Sequence, residues 1–159
     1  MSKPAIGKPV SDIKLTLSGG KTVKLSDYKG QNVVLYFYPR DNTPGCTTEG
    51  QDFRDNHTKF RRRNTVVLGV SRDSVASHDK FKEKQKFPFD LVSDPDEKLC
   101  KKFDVIKEKN MYGKKVMGIE RSTFILDDKG VLRAEFRKVK VAEHVDAVLE
   151  EIKKLSSPK

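Results

Sequence analysis

Six consecutive apolar residues, at positions 33–38, constrain the fold of this chain more than any other feature. They read Val-Val-Leu-Tyr-Phe-Tyr, and Pro39 follows them. A continuous β-branched and aromatic run of this length is typical of a strand that is buried on both faces, and such strands lie inside sheets covered by helices. The sequence therefore predicts a central strand, ended by Pro39, in an α/β domain.

Apolar patterns on either side of this run predict the elements around it. Alternation at positions 13, 15 and 17, and again at 23 and 25, predicts an N-terminal β-hairpin that turns at Ser18–Gly20. After the central strand, the pattern predicts one helix to about residue 63 and a buried strand at 66–70. A helix then begins after Asp73 or Ser74 and ends near residue 86, and a short strand follows at 89–92.

The C-terminal half continues with three further elements. Asp94 followed by Pro95 predicts the start of a short helix, and residues 123–136 predict a hairpin around a turn at 127–130. The last helix is amphipathic, with apolar residues at the i, i+3, i+4, i+7 spacing: Val145, Val148, Leu149 and Ile152. Together these patterns predict a single three-layer domain over residues 1–159, with a frayed tail at 156–159.

Length and charge limit the classes of function. With 159 residues, the chain is long enough to bury one substantial core. No apolar run is long enough to cross a membrane and the start does not resemble a signal peptide, so we expect a cytoplasmic protein with no membrane partner. The net charge of +10 leaves a basic binding module as an alternative. Its lysines are dispersed and no nucleic-acid-binding motif accompanies them, so we expect no nucleic-acid partner.

The segment directly after the central strand carries the chemistry, at residues 39–46. Thr43 is a good helix N-cap and Pro44 a good first helical residue, which places Gly45 and Cys46 at the second and third positions. There the free backbone N–H groups and the helix dipole favour a thiolate, the reactive form of cysteine. Gly45 leaves room for a small oxygen substrate to approach the backbone. Helix position alone leaves the alternative that Cys46 is a buried, inert side chain.

A family resemblance favours the reactive interpretation. The pattern Pro39-x-x-x-Thr43-x-x-Cys46 resembles the P-x-x-x-T/S-x-x-C signature of the peroxiredoxins. The flanking Tyr-Phe-Tyr at positions 36–38 and the Thr at position 47 are similar to the bacterioferritin comigratory protein, or peroxiredoxin Q, subfamily. This likeness extends over nearly the whole chain. It implies a thioredoxin-like fold, with a central mixed sheet between helices and an N-terminal hairpin.

The resemblance also implies roles for single residues. Cys46 would be the peroxidatic cysteine that a hydroperoxide oxidises to a sulfenic acid, Thr43 would hydrogen-bond the peroxide, and Pro39 would shield the sulfur from water. Arg121 matches the family's catalytic arginine, whose fixed donors stabilise a thiolate and hold peroxide oxygens. Without the resemblance, Arg121 would be interpreted as an ordinary surface charge.

Other polar residues have weaker assignments. Glu49 is expected to brace the arginine, although the dipole already favours a carboxylate in a first helical turn. The mechanism needs no metal and no organic cofactor. His57, His78 and His144 show no metal-ligand spacing and are predicted to lie at the surface.

The chain departs from the subfamily in its second thiol. Many members carry a resolving cysteine five residues after the first, where this chain has Gln51, and others carry it on the next helix, here in the region 81–86, which has none. Cys100 has apolar neighbours that indicate core packing, and a resolving role is its less favoured alternative. We therefore expect a one-cysteine peroxidase, reduced by thioredoxin, by glutaredoxin with glutathione or by another small thiol, and the resemblance implies a monomer. A redox sensor is an alternative, and a disulfide oxidoreductase is disfavoured because C-x-x-C is absent.

Overall fold

A computed structural model describes residues 4–155, which form nine strands and five α-helices. The predicted frayed tail at 156–159 lies outside the described residues. The strands are β1 (Lys14–Leu17), β2 (Thr22–Lys24), β3 (Asn32–Phe37), β4 (Thr65–Ser71), β5 (Leu91–Ser93), β6 (Ile106–Met111), β7 (Lys114–Ile119), β8 (Ser122–Leu126) and β9 (Leu132–Phe136). The helices are α1 (Pro44–Asp55), α2 (His57–Arg62), α3 (Val75–Gln85), α4 (Lys98–Lys102) and α5 (His144–Leu155).

Seven of the strands form one mixed sheet in the order β2-β1-β5-β4-β3-β8-β9. Strand β3 pairs in parallel with β4 and antiparallel with β8, and all six of its residues are buried. This is the central strand that the apolar run predicts. The N-terminal hairpin β1–β2 occupies one edge of the sheet and pairs with β5, as expected for a peripheral element.

The two faces of the sheet bury separate apolar clusters. Alternating β3 residues enter different clusters, since Leu35 belongs to one and Tyr36 to the other. The cluster of Tyr36 receives apolar side chains from the four longer helices: Phe53, Phe60, Phe81, Val148 and Ile152. The cluster of Leu35 receives its helical residues from α4, on the opposite face. Helices thus cover both faces of the sheet, which confirms the predicted fold class.

Two predicted helix boundaries are wrong for local reasons. The single helix predicted to residue 63 is two helices, broken at Asn56, whose side-chain amide donates to the Asp52 carbonyl at 2.8 Å. Such a side-chain bond competes with continuation of the helix. Helix α4 begins at Lys98 and not at Asp94. Asp94 precedes the helix and still stabilises its start, because its carboxylate accepts hydrogen bonds from the backbone N–H groups of Leu99 and Cys100.

The hairpin β6–β7 was not predicted from the sequence. It stands apart from the main sheet, and its strands pair from Ile106 and Ile119 outward to a turn at Tyr112 and Gly113. Both turn residues have positive φ, 53° and 79°, as tight hairpins require. Five of the twelve residues in the two strands are charged, and no regular apolar alternation marks them. Within residues 4–155, no helix combines the length and apolar character needed to cross a bilayer.

Candidate active site

The loop from β3 to α1 places Cys46 in the first turn of a helix. Thr43 has the extended backbone of an N-cap residue, Pro44 is the first helical residue and Cys46 is the third. This agrees with the position predicted from the sequence. The Thr43 hydroxyl, however, does not cap the helix, because it donates to the Arg40 carbonyl at 2.9 Å. The Thr43 oxygen therefore keeps acceptor capacity for another donor.

Arg121 lies against the sulfur. Strands β3 and β8 pair so that Phe37 faces Ser122, and this register brings Arg121 to the end of β3 where the active-site loop begins. One guanidinium nitrogen of Arg121, Nη2, donates to the Cys46 Sγ at 3.4 Å. Only 16% of the Arg121 side chain is exposed, so the surface-charge interpretation of this residue is wrong.

The same guanidinium links the sulfur to a buried carboxylate. Arg121 Nη1 donates to Glu49 Oε1 at 2.6 Å, and Glu49 is fully buried. Glu49 is the sixth residue of α1, which places it beyond the first turn and removes the helix-dipole explanation for it. Glu49 thus braces the arginine through a direct ion pair, while Cys46, 1% exposed, lies on the other side of the guanidinium.

Burial controls the protonation of the Glu49 carboxyl. It raises the pKa of Glu49 to about 7, although the charge of Arg121 acts to lower it. Within the described residues, Glu49 Oε2 has no hydrogen-bond partner. Burial disfavours the charge on Arg121, but Glu49 and Cys46 together raise the pKa of its guanidinium above the ordinary value. Arg121 consequently stays a cation between two groups that carry or can carry negative charge.

Gly45 and Pro39 shape the space around the sulfur. A Cβ atom at Gly45 would lie 3.1 Å from Arg121 Nη2, a distance tighter than most real contacts. The absence of a side chain at Gly45 therefore makes room for the guanidinium, a reason that the sequence did not reveal. Pro39 is half-buried and directly precedes the loop that carries Thr43.

Two histidines predicted at the surface are buried, which corrects the sequence interpretation. His78 is fully buried and contacts Asp41 on the active-site loop at 2.8 Å, whereas His57 is half-exposed. His144 is 6% exposed, and its Nε2 lies 2.7 Å from the Thr123 hydroxyl. Burial, followed by the nearby Arg121 charge, lowers the pKa of His144 to about 4. Isolated histidines in a sequence carry no periodic signal that would have revealed either contact.

A cation that the sequence analysis missed approaches the same site. The Lys109 side chain packs over the backbone of Gly118 on the β6–β7 hairpin. Its Cδ lies 3.3 Å from the position that a Cβ atom would take at Gly118. Burial, followed by the charge of Arg121, lowers the pKa of Lys109. No sequence signal links this lysine to the site, because the hairpin that carries it has no apolar pattern.

In the described part of the chain, one group of side chains lies close enough together to hold a metal ion. The ligand atoms of Asp41, Asp73 and His78 lie within 4.8 Å of one another. Asp41, Asp73 and His78 are hydrogen-bonded to one another or to neighbours that include Ser71 and Ser77. The three side chains therefore belong to one hydrogen-bond network.

Cys100 lies in a different environment. It is fully buried in the cluster on the face of the sheet opposite to Cys46. Burial, reinforced by the neighbouring Asp94 carboxylate, raises the pKa of the Cys100 thiol above its ordinary value. The two cysteines thus lie on opposite faces of the sheet, and the Arg121 guanidinium donates to the Cys46 sulfur.

Comparison with known proteins agrees with this geometry. A model of the AhpC/TSA family matches residues 6–135. The chain is 58% identical over 142 residues to peroxiredoxin Bcp of Xanthomonas campestris pv. campestris, covering 89% of each chain. It is 54% identical over 151 residues to peroxiredoxin Bcp of Bacillus subtilis, covering 95% of this chain and 96% of that one.

A solved structure shows the same fold. The bacterioferritin comigratory protein of Xanthomonas campestris, studied as a trapped intermediate and ligand complex for its alkyl peroxide reduction, superposes with a TM-score of 0.87 at 56% identity. The match covers 91% of this chain and 92% of that chain. The chain therefore belongs to the AhpC/TSA family and, within it, to the peroxiredoxin Q subfamily of thiol-dependent peroxidases.

Proposed function

We propose that this chain reduces hydrogen peroxide and organic hydroperoxides to water and alcohols, with Cys46 as the nucleophile. The observation that carries the proposal is the Arg121 guanidinium, which contacts the Cys46 sulfur and the Glu49 carboxylate at once. A cation fixed against a sulfur in a first helical turn favours the thiolate, the form that attacks. The relative from Xanthomonas campestris, described for alkyl peroxide reduction, supports organic hydroperoxides among the substrates.

The residues have distinct roles in the proposed step. The Cys46 thiolate attacks one peroxide oxygen, so that an S–O bond forms, the O–O bond breaks and Cys46 becomes a sulfenic acid. The leaving oxygen takes a proton and departs as water or alcohol. Arg121 stabilises the negative charge that develops on the oxygens, and the Thr43 oxygen accepts a hydrogen bond from the peroxide O–H. Pro39 limits the access of water to the sulfur, and Gly45 leaves space for the guanidinium.

The enzyme is proposed to be of the one-cysteine type. Cys100 lies across the sheet from Cys46, and a disulfide needs Cα atoms within about 7 Å. Gln51, where many members carry a resolving cysteine, donates to Gln85 at 2.9 Å and ties α1 to α3. An external thiol then condenses with the sulfenic acid to release water, and a second thiol restores Cys46 as a disulfide leaves.

The reductant and setting follow from the same reasoning. Thioredoxin, or glutaredoxin with glutathione, supplies the two thiols, and the reaction uses no metal or organic cofactor. Bacterial relatives support a cytoplasmic setting, and we expect a monomer. No membrane or nucleic-acid partner takes part.

Peroxide consumption with dithiothreitol tests the role of Cys46. We expect Cys46→Ser to lose turnover and Cys100→Ser to keep it, because Arg121 donates to the Cys46 sulfur, whereas burial raises the pKa of the Cys100 thiol. Turnover retained by Cys46→Ser would exclude the proposed nucleophile. The matched Cys100→Ser variant controls for loss of a buried thiol.

Intact mass after one equivalent of peroxide tests the one-cysteine type. A gain of one oxygen on Cys46 indicates a sulfenic acid that no internal thiol resolves. A loss of two hydrogens would indicate a bond between Cys46 and Cys100 and would overturn this part of the proposal.

A further inference from the structure

A buried polar network joins the active-site loop to helix α3, and the reaction described above does not use it. Asp41 and His78 are its centre, with side chains that are 1% and 0% exposed. Asp41 Oδ2 lies 2.8 Å from His78 Nδ1, and His78 Nε2 lies 2.9 Å from the Val92 carbonyl on β5. Three separate parts of the fold, the loop, α3 and β5, therefore meet at one imidazole ring.

The hydrogen-bond partner of His78 Nε2 shows that this nitrogen carries a proton. The Val92 carbonyl can only accept a hydrogen bond, so His78 Nε2 must carry a proton. Tyr38 donates to Asp41 Oδ1 at 2.6 Å and Ser77 donates to Asp41 Oδ2 at 2.7 Å. The hydrogen bond between Asp41 Oδ2 and His78 Nδ1 therefore lies inside the protein, where almost no water reaches either side chain.

The neighbouring groups are consistent with this arrangement. Burial, followed by the nearby Tyr36 and Asp41, raises the pKa of Tyr38 well above its ordinary value, so its hydroxyl remains a donor. The Asp41 backbone N–H donates to Asp73 Oδ2 at 2.8 Å, which fixes the main chain of the loop as well as its side chain. The next residue, Asn42, has a φ of 64°, a left-handed conformation that asparagine tolerates.

We propose that Asp41 and His78 are positioning residues, whose buried hydrogen bond holds the loop at 39–43 so that Thr43 and the start of α1 surround the Cys46 sulfur. Asp41 precedes Thr43 by two residues and Cys46 by five. A displacement of the loop therefore moves the hydroxyl and the first-turn N–H groups together. Errors of about 1 Å in such groups can lower a rate by about 100-fold. The inference rests on the proposed role of Cys46.

Two substitutions test the pair in opposite directions. His78→Leu leaves Asp41 buried without its hydrogen-bond partner on α3 and removes the donor to the Val92 carbonyl, so we expect the rate constant of Cys46 with hydrogen peroxide to fall by about 100-fold. Asp41→Asn lets a neutral His78 accept from the amide and still donate to Val92. We expect this variant to remain within about threefold of the parent, because every buried polar group keeps a partner.

The controls separate positioning from general damage. Asp94→Asn changes another buried carboxylate, on the other side of the sheet, and is expected to keep the parental rate constant. Iodoacetamide labelling of Cys46 is measured beside the peroxide reaction, because it reports on the sulfur even if the chain proves not to reduce peroxides. In the double variant Asp41→Asn/His78→Leu the contact between the loop and α3 stays broken, so its rate constant should remain close to that of His78→Leu.

The outcomes decide the inference. A slow His78→Leu and a near-parental Asp41→Asn, in both the peroxide and labelling assays, support it. If His78→Leu does not fold, a near-parental Asp41→Asn beside a slower double variant gives the same support. A folded His78→Leu that reacts as the parent does would overturn the positioning role, and an Asp41→Asn as slow as His78→Leu would overturn its assignment to the hydrogen bond between the two side chains.

Discussion

The two cysteines of this chain occupy similar positions and have opposite electrostatic surroundings. Cys46 and Cys100 are each the third residue of a helix, and they are 1% and 0% exposed. The Cys46 sulfur receives a hydrogen bond from Arg121, whereas burial and the Asp94 carboxylate raise the pKa of the Cys100 thiol. Helix position and burial therefore do not distinguish a nucleophile from a core thiol. The sign of the charge beside the sulfur, positive from Arg121 at Cys46 and negative from Asp94 at Cys100, distinguishes them.

The helix starts themselves reinforce this difference. Helix α1 has twelve residues and no acidic residue in its first turn, so its amino end is free to favour an anion. Helix α4 has five residues, and Asp94 already accepts the N–H groups of Leu99 and Cys100. A carboxylate thus occupies the place at α4 that the thiolate is proposed to occupy at α1.

The largest expected effect comes from removing the cation beside Cys46. Arg121→Met should lower the rate constant of Cys46 with hydrogen peroxide by about 100- to 1,000-fold, since one fixed donor to a developing anion is worth about that much. Stopped-flow measurement of the single oxidation step gives this constant directly.

Arg137→Met is the matched control for Arg121→Met. Arg137 is also a partly buried arginine, and it donates to the carbonyls of Phe103 and Asp104. We expect it to affect stability and not the oxidation rate. A near-parental rate in Arg121→Met would contradict the importance of the charge.

A second prediction concerns the carboxylate behind the cation. Burial raises the pKa of Glu49 from 4.5 in the unfolded chain to about 7 in the fold. Between these values the folded state binds more protons, so this group stabilises the fold below about pH 4.5 and the stabilisation is lost as the pH rises through 7. The change amounts to about 3 kcal/mol of unfolding free energy.

Denaturant unfolding of the parent and Glu49→Gln at pH 5 and pH 8 measures this contribution. The parent should lose more stability than the variant over that interval, because glutamine does not titrate. Equal losses in the two proteins would mean that Glu49 is ionised throughout, and that burial does not control the charge shared with Arg121.

The smallest expected effect concerns Cys100. Asp94→Asn removes a charge that raises the pKa of the Cys100 thiol, but burial is the largest cause and remains. We expect about 1–3 kcal/mol less unfolding free energy, from weaker acceptance of two backbone N–H groups. Cys100 should stay unlabelled by iodoacetamide while the protein is folded. Rapid labelling would show that the carboxylate, and not burial, protects this thiol.

The sequence predicted those features that depend on neighbouring residues. The apolar run at 33–38 and the apolar face of α5 lie where the pattern placed them, and Ser74 is the N-cap of α3, one of the two candidates. Cys46 at the third helical position follows from the local order of Thr43 and Pro44. Each of these features is decided within about one turn or one strand of chain.

Features that depend on tertiary register could not be predicted from local patterns. Arg121 meets Cys46 across 75 residues only because β3 and β8 pair in one particular register, and a family resemblance was needed to select it. Asp41 and His78 meet across 37 residues, and nothing in their own neighbourhoods marks the contact. The β6–β7 hairpin was not predicted, because its strands carry charges at positions where a strand pattern requires apolar residues.

The pH dependence of iodoacetamide labelling, mapped separately to Cys46 and Cys100 in the folded protein, tests the central claim most directly. If Arg121 and the start of α1 hold the Cys46 sulfur as a thiolate, labelling of Cys46 at pH 6 should remain within about threefold of its rate at pH 8, while Cys100 stays unlabelled. An ordinary thiol slows by about two orders of magnitude over this interval. Such a slowing at Cys46, or equal labelling of both residues, would contradict the account.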